Sequence, residues 1–413
     1  MGLVMDDAVD LAAVYTDLHA NPELGFHETR TAALVAAQLS ASGFDVTTGV
    51  GGTGVVGLLR NGDGPLVLLR ADMDALPVEE KTGLPYASVT RAITDSGMDV
   101  PVMHACGHDV HVTCLLGACA VFSANSSSWS GTLVAVFQPA EELGAGAQAM
   151  VDDGLFERFG RPAVVLGQHV APLPAGVIGL RHGAAFAAAD SLSIVLHGRG
   201  GHGSRPEASV DPVVMAAATV MRLQTIVSRE LAGNDTAVVT VGSLHSGTAA
   251  NIIPDRAELQ LSIRTTGADV RTRVLAAVER IVRGEAVAAG APRDPEITLG
   301  ASFPAVVNDP DAASLTQPAL EEVSQMVVDP GLVTGSEDVG VLATAAGAPC
   351  VFWILGGADP VSFGGATKVE EIAAKMLELP ANHSPMYAPQ IVPTLDIGAA
   401  ALVAAARKWL RKS

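Results

Sequence analysis

Thiol, imidazole and carboxylate side chains occur in four groups, each beside a predicted strand end or helix start. These groups are Asp72-Met-Asp74, Cys106-Gly-His108, Glu141-Glu142 and His169. Thiolates and imidazoles are ligands that zinc prefers, and carboxylates bind most divalent metals. Because open α/β sheets place ligands at the carboxyl ends of their strands, we expect the four groups to meet at one sheet edge. The sequence therefore predicts a metal site there.

The adjacent pair Glu141-Glu142 offers two different roles. Neighbouring side chains after a strand point in different directions, so one carboxylate can bind metal while the other takes a proton from water. The alternative is a solvated acidic pair at a helix start, where carboxylates are favoured. His383, in the polar loop before the last predicted helix, is a further candidate ligand.

The composition excludes several classes of protein. Of 413 residues, 49% are hydrophobic and 17% are charged, which excludes wholesale disorder. The net charge of −19 repels phosphate and anionic lipid, so we expect no nucleic-acid and no membrane partner. Four cysteines without a CxxC pair favour a reducing compartment, and the start of the chain lacks the basic region of a signal peptide. These features predict a cytoplasmic protein.

Strands and helices alternate in the first and last parts of the chain. The predicted strands are 55–59, 66–69, 132–137 and 164–169, and the predicted helices are 6–20, 27–42, 107–124 and 394–408. The strands are apolar without alternation, which is typical of strands covered on both faces. This order predicts an α/β fold, with a mixed, largely parallel sheet flanked by helices.

The middle third of the chain has a different pattern. Strands 191–197 and 258–263 alternate apolar and polar residues, one helix begins at Asp211-Pro212, and another carries an apolar stripe over 270–282. The order strand, helix, strand, strand, helix, strand is that of a split βαβ, ferredoxin-like insert. We therefore predict a catalytic domain formed by 1–185 and 300–413, with an inserted α+β lid and dimerisation domain at 186–299.

The glycine-rich segment Gly49–Gly54 has the spacing of a dinucleotide-binding loop. A β-rich run follows it, whereas bound phosphate needs the N-terminus of a helix. We therefore interpret the segment as a plain turn; a nicotinamide oxidoreductase is a rival function that rests on this segment alone, and absence of cofactor binding would dismiss it.

Ordered motifs along nearly the whole chain resemble those of a known family. The motifs are 19–26, 70–77, 103–111, 138–142, 200–202, 251–254, 336–338 and 383–385. They resemble the dinuclear-metal amidohydrolases, which include aminoacylases, carboxypeptidase-type enzymes and succinyl-diaminopimelate desuccinylase. The branch with the greatest resemblance is that of hippurate and indole-acetyl-amino-acid hydrolases.

The resemblance implies a role for each candidate residue. The implied metal ligands are Cys106, His108, Glu142, His169 and His383. Glu141 would be the general base, and Asp74 would orient a neighbouring ligand. His202 of the lid would reach the active site of the partner in a homodimer formed through the lid domains. Asn251 would help form the substrate site, and Arg264 would hold a substrate carboxylate. The alternative for Arg264 is a surface salt bridge.

These features together predict metal-dependent hydrolysis of the amide bond in N-acyl amino acids. Two divalent metal ions would activate a water that loses its proton to Glu141. Zinc or manganese suits the expected ligands best, and cobalt or nickel is an alternative. Two other functions stay open: a dipeptidase or carboxypeptidase that cleaves small peptides, and a non-catalytic homologue that binds metal or ligand.

Overall fold

The computed structural model describes residues 9–366 and 368–410, which form two compact units. The first unit comprises the chain up to Ala185, Val306–Leu332 and the chain from Asp338 onward. The second comprises Phe186–Ala305 and Val333–Glu337. That these units act as a catalytic domain and a lid stays a prediction.

Each of the four helices predicted for the first and last parts of the chain is present in the structure. Helices α1–α11 span Leu11–Ala20, Thr29–Ala41, His108–Ala124, Gly146–Asp152, Leu155–Phe159, Pro212–Thr225, Ala268–Ala288, Pro310–Glu321, Val339–Ala346, Val369–Met376 and Thr394–Trp409. The predicted start of the first helix, at 6–8, lies outside the described residues, and α1 begins after Asp10, whose carboxylate accepts the N–H of Ala13. Within the described ranges, no helix has both the length and the apolar composition needed to cross a membrane.

The strands belong mainly to two sheets. Strands β1–β18 span Asp45–Val50, Gly54–Asn61, Leu66–Asp72, Arg91–Ile93, Asp99–Pro101, Gly131–Gln138, Val164–Pro174, Val177–Gly179, Gly183–Phe186, Ala188–His197, Gly201–His202, Ala237–Ser246, Ile252–Ile253, Arg256–Thr265, Glu296–Phe303, Val306–Asn308, Met326–Val328 and Cys350–Ala358. The glycine-rich segment forms the tight turn between the antiparallel strands β1 and β2. It is therefore the plain turn that the sequence predicts.

The first unit is built on an eight-stranded sheet with the order β1-β2-β6-β3-β7-β18-β8-β17. The central strands β6, β3, β7 and β18 run parallel, β1 and β2 join one side antiparallel, and β8 pairs antiparallel with β18. Most residues of β3, β6 and β7 are buried, as their unbroken apolar runs predict. The predicted mixed, largely parallel sheet is confirmed.

The strand register brings site residues to one edge of this sheet. Asp72, the last residue of β3, pairs with Gln138, the last residue of β6. On its other side β3 pairs with β7 through Arg70 and Gly167, so Asp72 is level with His169 two residues further along. Helix α3 packs against β3, β7, α1 and α11 and is buried on nearly all sides. Its first turn therefore starts from a fixed position beside that edge.

The second unit is a four-stranded antiparallel sheet with the order β12-β14-β10-β15. Its elements follow the chain order strand, helix, strand, strand, helix, strand, with α6 and α7 as the helices. Apolar side chains of both helices pack with those of the sheet in one core. The predicted inserted α+β unit of the split βαβ type is confirmed.

Candidate metal centre

Gly107 separates the thiol of Cys106 from the imidazole of His108 at the start of α3. Its φ of 84° lies in the left-handed region, and a Cβ atom there would be 2.4 Å from Cγ1 of Val170. Glycine is therefore required for the chain to turn sharply into the helix. The Sγ atom of Cys106 lies 3.5 Å from Nε2 of His169 on β7.

The loop before α11 brings His383 to the same thiol. Nε2 of His383 lies 3.2 Å from Sγ of Cys106 and 3.3 Å from Oε1 of Glu142. Two hydrogen bonds tie this loop to the segment before α3: the N–H of His383 donates to the carbonyl of Ala105, and Asn382 donates to the carbonyl of Cys106. The structure thus gathers side chains that are 277 residues apart in sequence.

The gathered donors form two sets that share the cysteine. One set is Cys106, His108 and His169, and the other is Cys106, Glu142 and His383. Within each set, all donor atoms lie within 4.8 Å of one another. A thiolate common to two sets of ligands can bridge two cations, which fits a dinuclear centre.

The surroundings of His108 test whether a cation fits. Its Nε2 atom lies 3.7 Å from Asp72, 3.8 Å from Glu142 and 3.9 Å from Glu141, and it has no hydrogen-bond partner among the described residues. Donor atoms that share one cation at about 2.0–2.3 Å lie roughly 3.3–4 Å apart. Burial by itself lowers the pKa of His108, but Asp72 and Asp74 raise it to about 10. This excess of negative charge around a buried imidazole suits divalent metal ions.

Burial contributes to two further pKa shifts. Burial, together with the carboxylates of Glu142 and Glu141, raises the pKa of the Cys106 thiol well above its ordinary value. Burial lowers the pKa of His169, which keeps that ring neutral. Metal ligands must be deprotonated, so a cation would take the place of the proton on Cys106.

Asp74 holds the two glutamates through their backbone. Its Oδ1 accepts the N–H of Glu141 at 3.0 Å, and its Oδ2 accepts the N–H of Glu142 at 2.9 Å. The same Oδ1 atom lies 3.3 Å from Nδ1 of His108. Asp74 therefore orients three of the candidate residues at once. The catalytic role of Asp74 stays a prediction.

Hydrogen bonds fix the ring orientation of the two other histidines at the sheet edge. Nδ1 of His169 donates to the carbonyl of Val170 at 2.8 Å, which leaves Nε2 facing Cys106. His111 accepts the N–H of Val170 at Nε2, so its Nδ1 carries the proton and donates to Asp72.

Several buried residues of this region have roles that sequence reasoning missed. The buried Arg70 guanidinium donates to Asp72 at 2.7 Å, to Gln138 at 2.9 Å and to Asp338 at 3.0 Å. Arg70 and Asp338 are present in the recognised motifs, yet motif membership does not say what they contact. Glu28 had no signal beyond its place just after the first motif, and its contacts are described below.

The second unit holds the other three predicted site residues. His202 is exposed, and its Nδ1 accepts hydrogen bonds from the backbone and the hydroxyl of Ser204. Asn251 directly precedes β13, which pairs antiparallel with β11, and the carbonyl of Asn251 accepts the N–H of Gly203. Arg264 is half-buried on β14. Their participation in a substrate site stays a prediction.

Comparisons with known proteins agree with this geometry. Residues 68–376 match the sequence model of peptidase family M20/M25/M40. Hippurate hydrolase of Campylobacter jejuni is 40% identical over 324 residues, which cover 78% of this chain and 80% of that protein. N-acetyl-L-cysteine deacetylase of Bacillus subtilis is 34% identical over 330 residues, which cover 79% and 76%.

A solved structure extends the similarity to the fold. A dinuclear metal-binding peptidase of the M20 family from Bacillus subtilis superimposes with a TM-score of 0.76. It is 27% identical in sequence, and the match covers 98% of each chain. The chain belongs to peptidase family M20/M25/M40, and it is a metal-dependent amidohydrolase.

Proposed function

We propose that the protein hydrolyses the amide bond of N-acyl amino acids. The observation that carries this proposal is the position of Glu141, a nearly buried carboxylate 3.9 Å from His108 and next to the ligand candidate Glu142. The substrates named for hippurate hydrolase and N-acetyl-L-cysteine deacetylase, both relatives of this chain, support the same class.

Two divalent cations would be held by the two donor sets that share Cys106. Bound there, the cations supply positive charge that stabilises a developing oxyanion and makes a nearby water more acidic. Zinc suits the thiolate, and manganese, cobalt or nickel suits the carboxylate and imidazoles. Asp74 and the carbonyl of Val170 fix the directions of the ligands through the contacts described above.

Glu141 moves the proton in this reaction. Its carboxylate takes a proton from the water that attacks the acyl carbon and then gives it to the departing amine nitrogen, as the C–N bond breaks. The products are a carboxylic acid and a free amino acid. Arg264 and Asn251 of the second unit are the proposed contacts for the carboxylate and body of the substrate.

A substrate panel with controlled metal content tests this function. Protein loaded with zinc or manganese should release free amino acid from hippurate and N-acetyl-cysteine, and chelation should abolish turnover until metal is restored. A metal that binds only the folded state stabilises it, by ~4 kcal/mol when the free metal concentration is about 1,000 times Kd. Chelation should therefore lower Tm. Metal-loaded protein that leaves every N-acyl amino acid intact would contradict the proposal.

The same panel separates the two alternatives. Faster turnover of dipeptides than of N-acyl amino acids would favour a dipeptidase or carboxypeptidase. Tight metal binding without hydrolysis of either class would favour a non-catalytic homologue. The buried Glu141 beside the ligand set supports an enzyme, because a binding protein has no use for a proton acceptor there.

We also propose that two copies associate through the second unit. Helix α6 exposes Val214 (65%) and Met221 (72%), and the neighbouring edge strand β12 exposes Val238 and Leu244. An edge strand has unpaired backbone groups that can pair with the same strand of a second copy about a two-fold axis. His202 would then serve the site of the partner. The four cysteines are buried and form no disulfide, which supports a reducing, cytoplasmic location for the dimer.

The oligomeric state tests this surface. The double variant Val214→Glu and Met221→Glu should convert the dimer to a monomer in light scattering, because charges on the apolar face resist burial. Val287→Glu is the matched control, since Val287 is 79% exposed on α7 of the same unit. A wild-type protein that is monomeric at micromolar concentration would contradict the dimer.

A further inference from the structure

The segment that carries Glu141 has an unusual backbone. Ala140 has a φ of 47°, in the left-handed region that residues other than glycine avoid, and its side chain is fully buried. The chain closes on itself here, since the carbonyl of Ala140 accepts the N–H of Gly146. A Cβ on Gly146 would lie 1.5 Å from the carbonyl oxygen of Pro139. Contacts from elsewhere in the unit must hold this turn.

Three buried carboxylates accept the backbone N–H groups of the turn. Oε1 of Glu28 accepts the N–H of Ala140 at 2.8 Å, and Oδ2 of Asp338 accepts that of Ala147 at 3.1 Å. The two carboxylate oxygens of Asp74 accept the N–H groups of Glu141 and Glu142, which lie between Ala140 and Ala147 in the chain. The three acceptors are 0%, 1% and 1% exposed, respectively, for Glu28, Asp338 and Asp74.

Glu28 is a member of this group that no catalytic or ligand role explains. It precedes α2, and its other oxygen accepts the hydroxyl of Thr53, which fixes the carboxylate. The Glu28 side chain makes no capping hydrogen bond to the start of α2, so helix capping does not account for its burial. A charged group is kept out of water only where its hydrogen bonds offset the loss of hydration.

We propose that Glu28 is a positioning residue for the general base. By accepting the N–H of Ala140, it holds the left-handed turn that places Glu141 on one side of the site and Glu142 on the other. The inference rests on the proposed function, in which Glu141 carries the proton. A displacement of about 1 Å in such a group can reduce turnover about 100-fold.

Three variants separate positioning from plain stability. Glu28→Leu removes the acceptor and nearly conserves volume, and Glu28→Gln retains an oxygen for Ala140. Asp190→Asn is the matched control, because Asp190 is an equally buried carboxylate in the second unit, paired with Arg271. We expect Glu28→Leu to lower kcat about 10- to 100-fold with KM nearly unchanged. Glu28→Gln should retain most of kcat, and Asp190→Asn should lower Tm without changing kcat.

A second readout needs no activity. In metal-free protein, hydrogen–deuterium exchange of a peptide covering 138–147 should be about tenfold faster in Glu28→Leu than in wild type or Asp190→Asn. This arm still decides the role of Glu28 if the wild type hydrolyses no N-acyl amino acid, which would remove only the proposed function.

Two results would overturn the role of Glu28. One is unchanged exchange in a folded Glu28→Leu protein, and the other is an unchanged kcat where the wild type is active. If Glu28→Leu does not fold, Thr53→Val replaces it, since this change removes only the hydroxyl that fixes the Glu28 carboxylate. Its kcat should fall several-fold at constant KM, and an unchanged kcat would equally overturn the proposal.

Discussion

Glu141→Gln is expected to lower kcat about 10²- to 10⁴-fold, the usual contribution of a positioned acid–base group. The amide has nearly the same shape as the carboxylate, but it cannot accept a proton from water. Because the main chain of Glu141 is held by Asp74, the fold and the ligand set should be retained. Steady-state kinetics on hippurate, combined with metal content per chain, measures the effect.

Two comparisons make the result specific. Glu157→Gln changes an exposed glutamate that pairs with Arg161, and it should leave kcat unchanged. Glu141→Asp retains a carboxylate on a shorter side chain and should be intermediate. A Glu141→Gln protein with full metal content and wild-type kcat would assign the proton transfer to another group.

His19→Gln should give the largest loss of stability, about 3–5 kcal/mol, which is typical when one partner of a buried ion pair is removed. The ring of His19 is fully buried, with Nδ1 2.6 Å from Asp109 and Nε2 3.1 Å from Glu80. Replacing it leaves two buried carboxylates without their cation. Urea unfolding at pH 6 measures the change in the free energy of unfolding.

The pH dependence of this loss has a definite sign. Burial alone would lower the pKa of His19, but Asp109 and Glu80 raise it to about 10, above its unfolded value of about 6.5. The stabilisation is therefore complete below about pH 6.5 and is lost as the pH rises toward 10. The difference between wild type and His19→Gln should shrink between pH 6 and pH 9.5.

His27 provides the matched control for this experiment. Its ring pairs with Asp95 at 3.1 Å, but both side chains are largely exposed, and such pairs contribute little. His27→Gln should leave the unfolding curve unchanged at both pH values. A pH-independent loss in His19→Gln would mean that packing, and not the charge of His19, is what the substitution removes.

Local sequence signals predicted several of the elements because their causes are local. Pro212 follows the N-cap Asp211, whose carboxylate accepts the N–H of Val213, and α6 begins where these residues predict. The last helix was predicted over 394–408 and spans Thr394–Trp409. The alternating pattern of 258–263 reappears as alternating burial along β14. Periodicity reports which face of an element is covered, whatever covers it.

The sequence by itself determined the fold class, the alternation of strands and helices and the residue types of a dinuclear centre. Only the tertiary structure decided which atoms meet: Cys106 with His383, Arg70 with Asp338, and Glu28 with Ala140. A buried glutamate such as Glu28 has the same local signature as a solvated one. Its role depends on hydrogen-bonding partners up to 112 residues away, which no local pattern encodes.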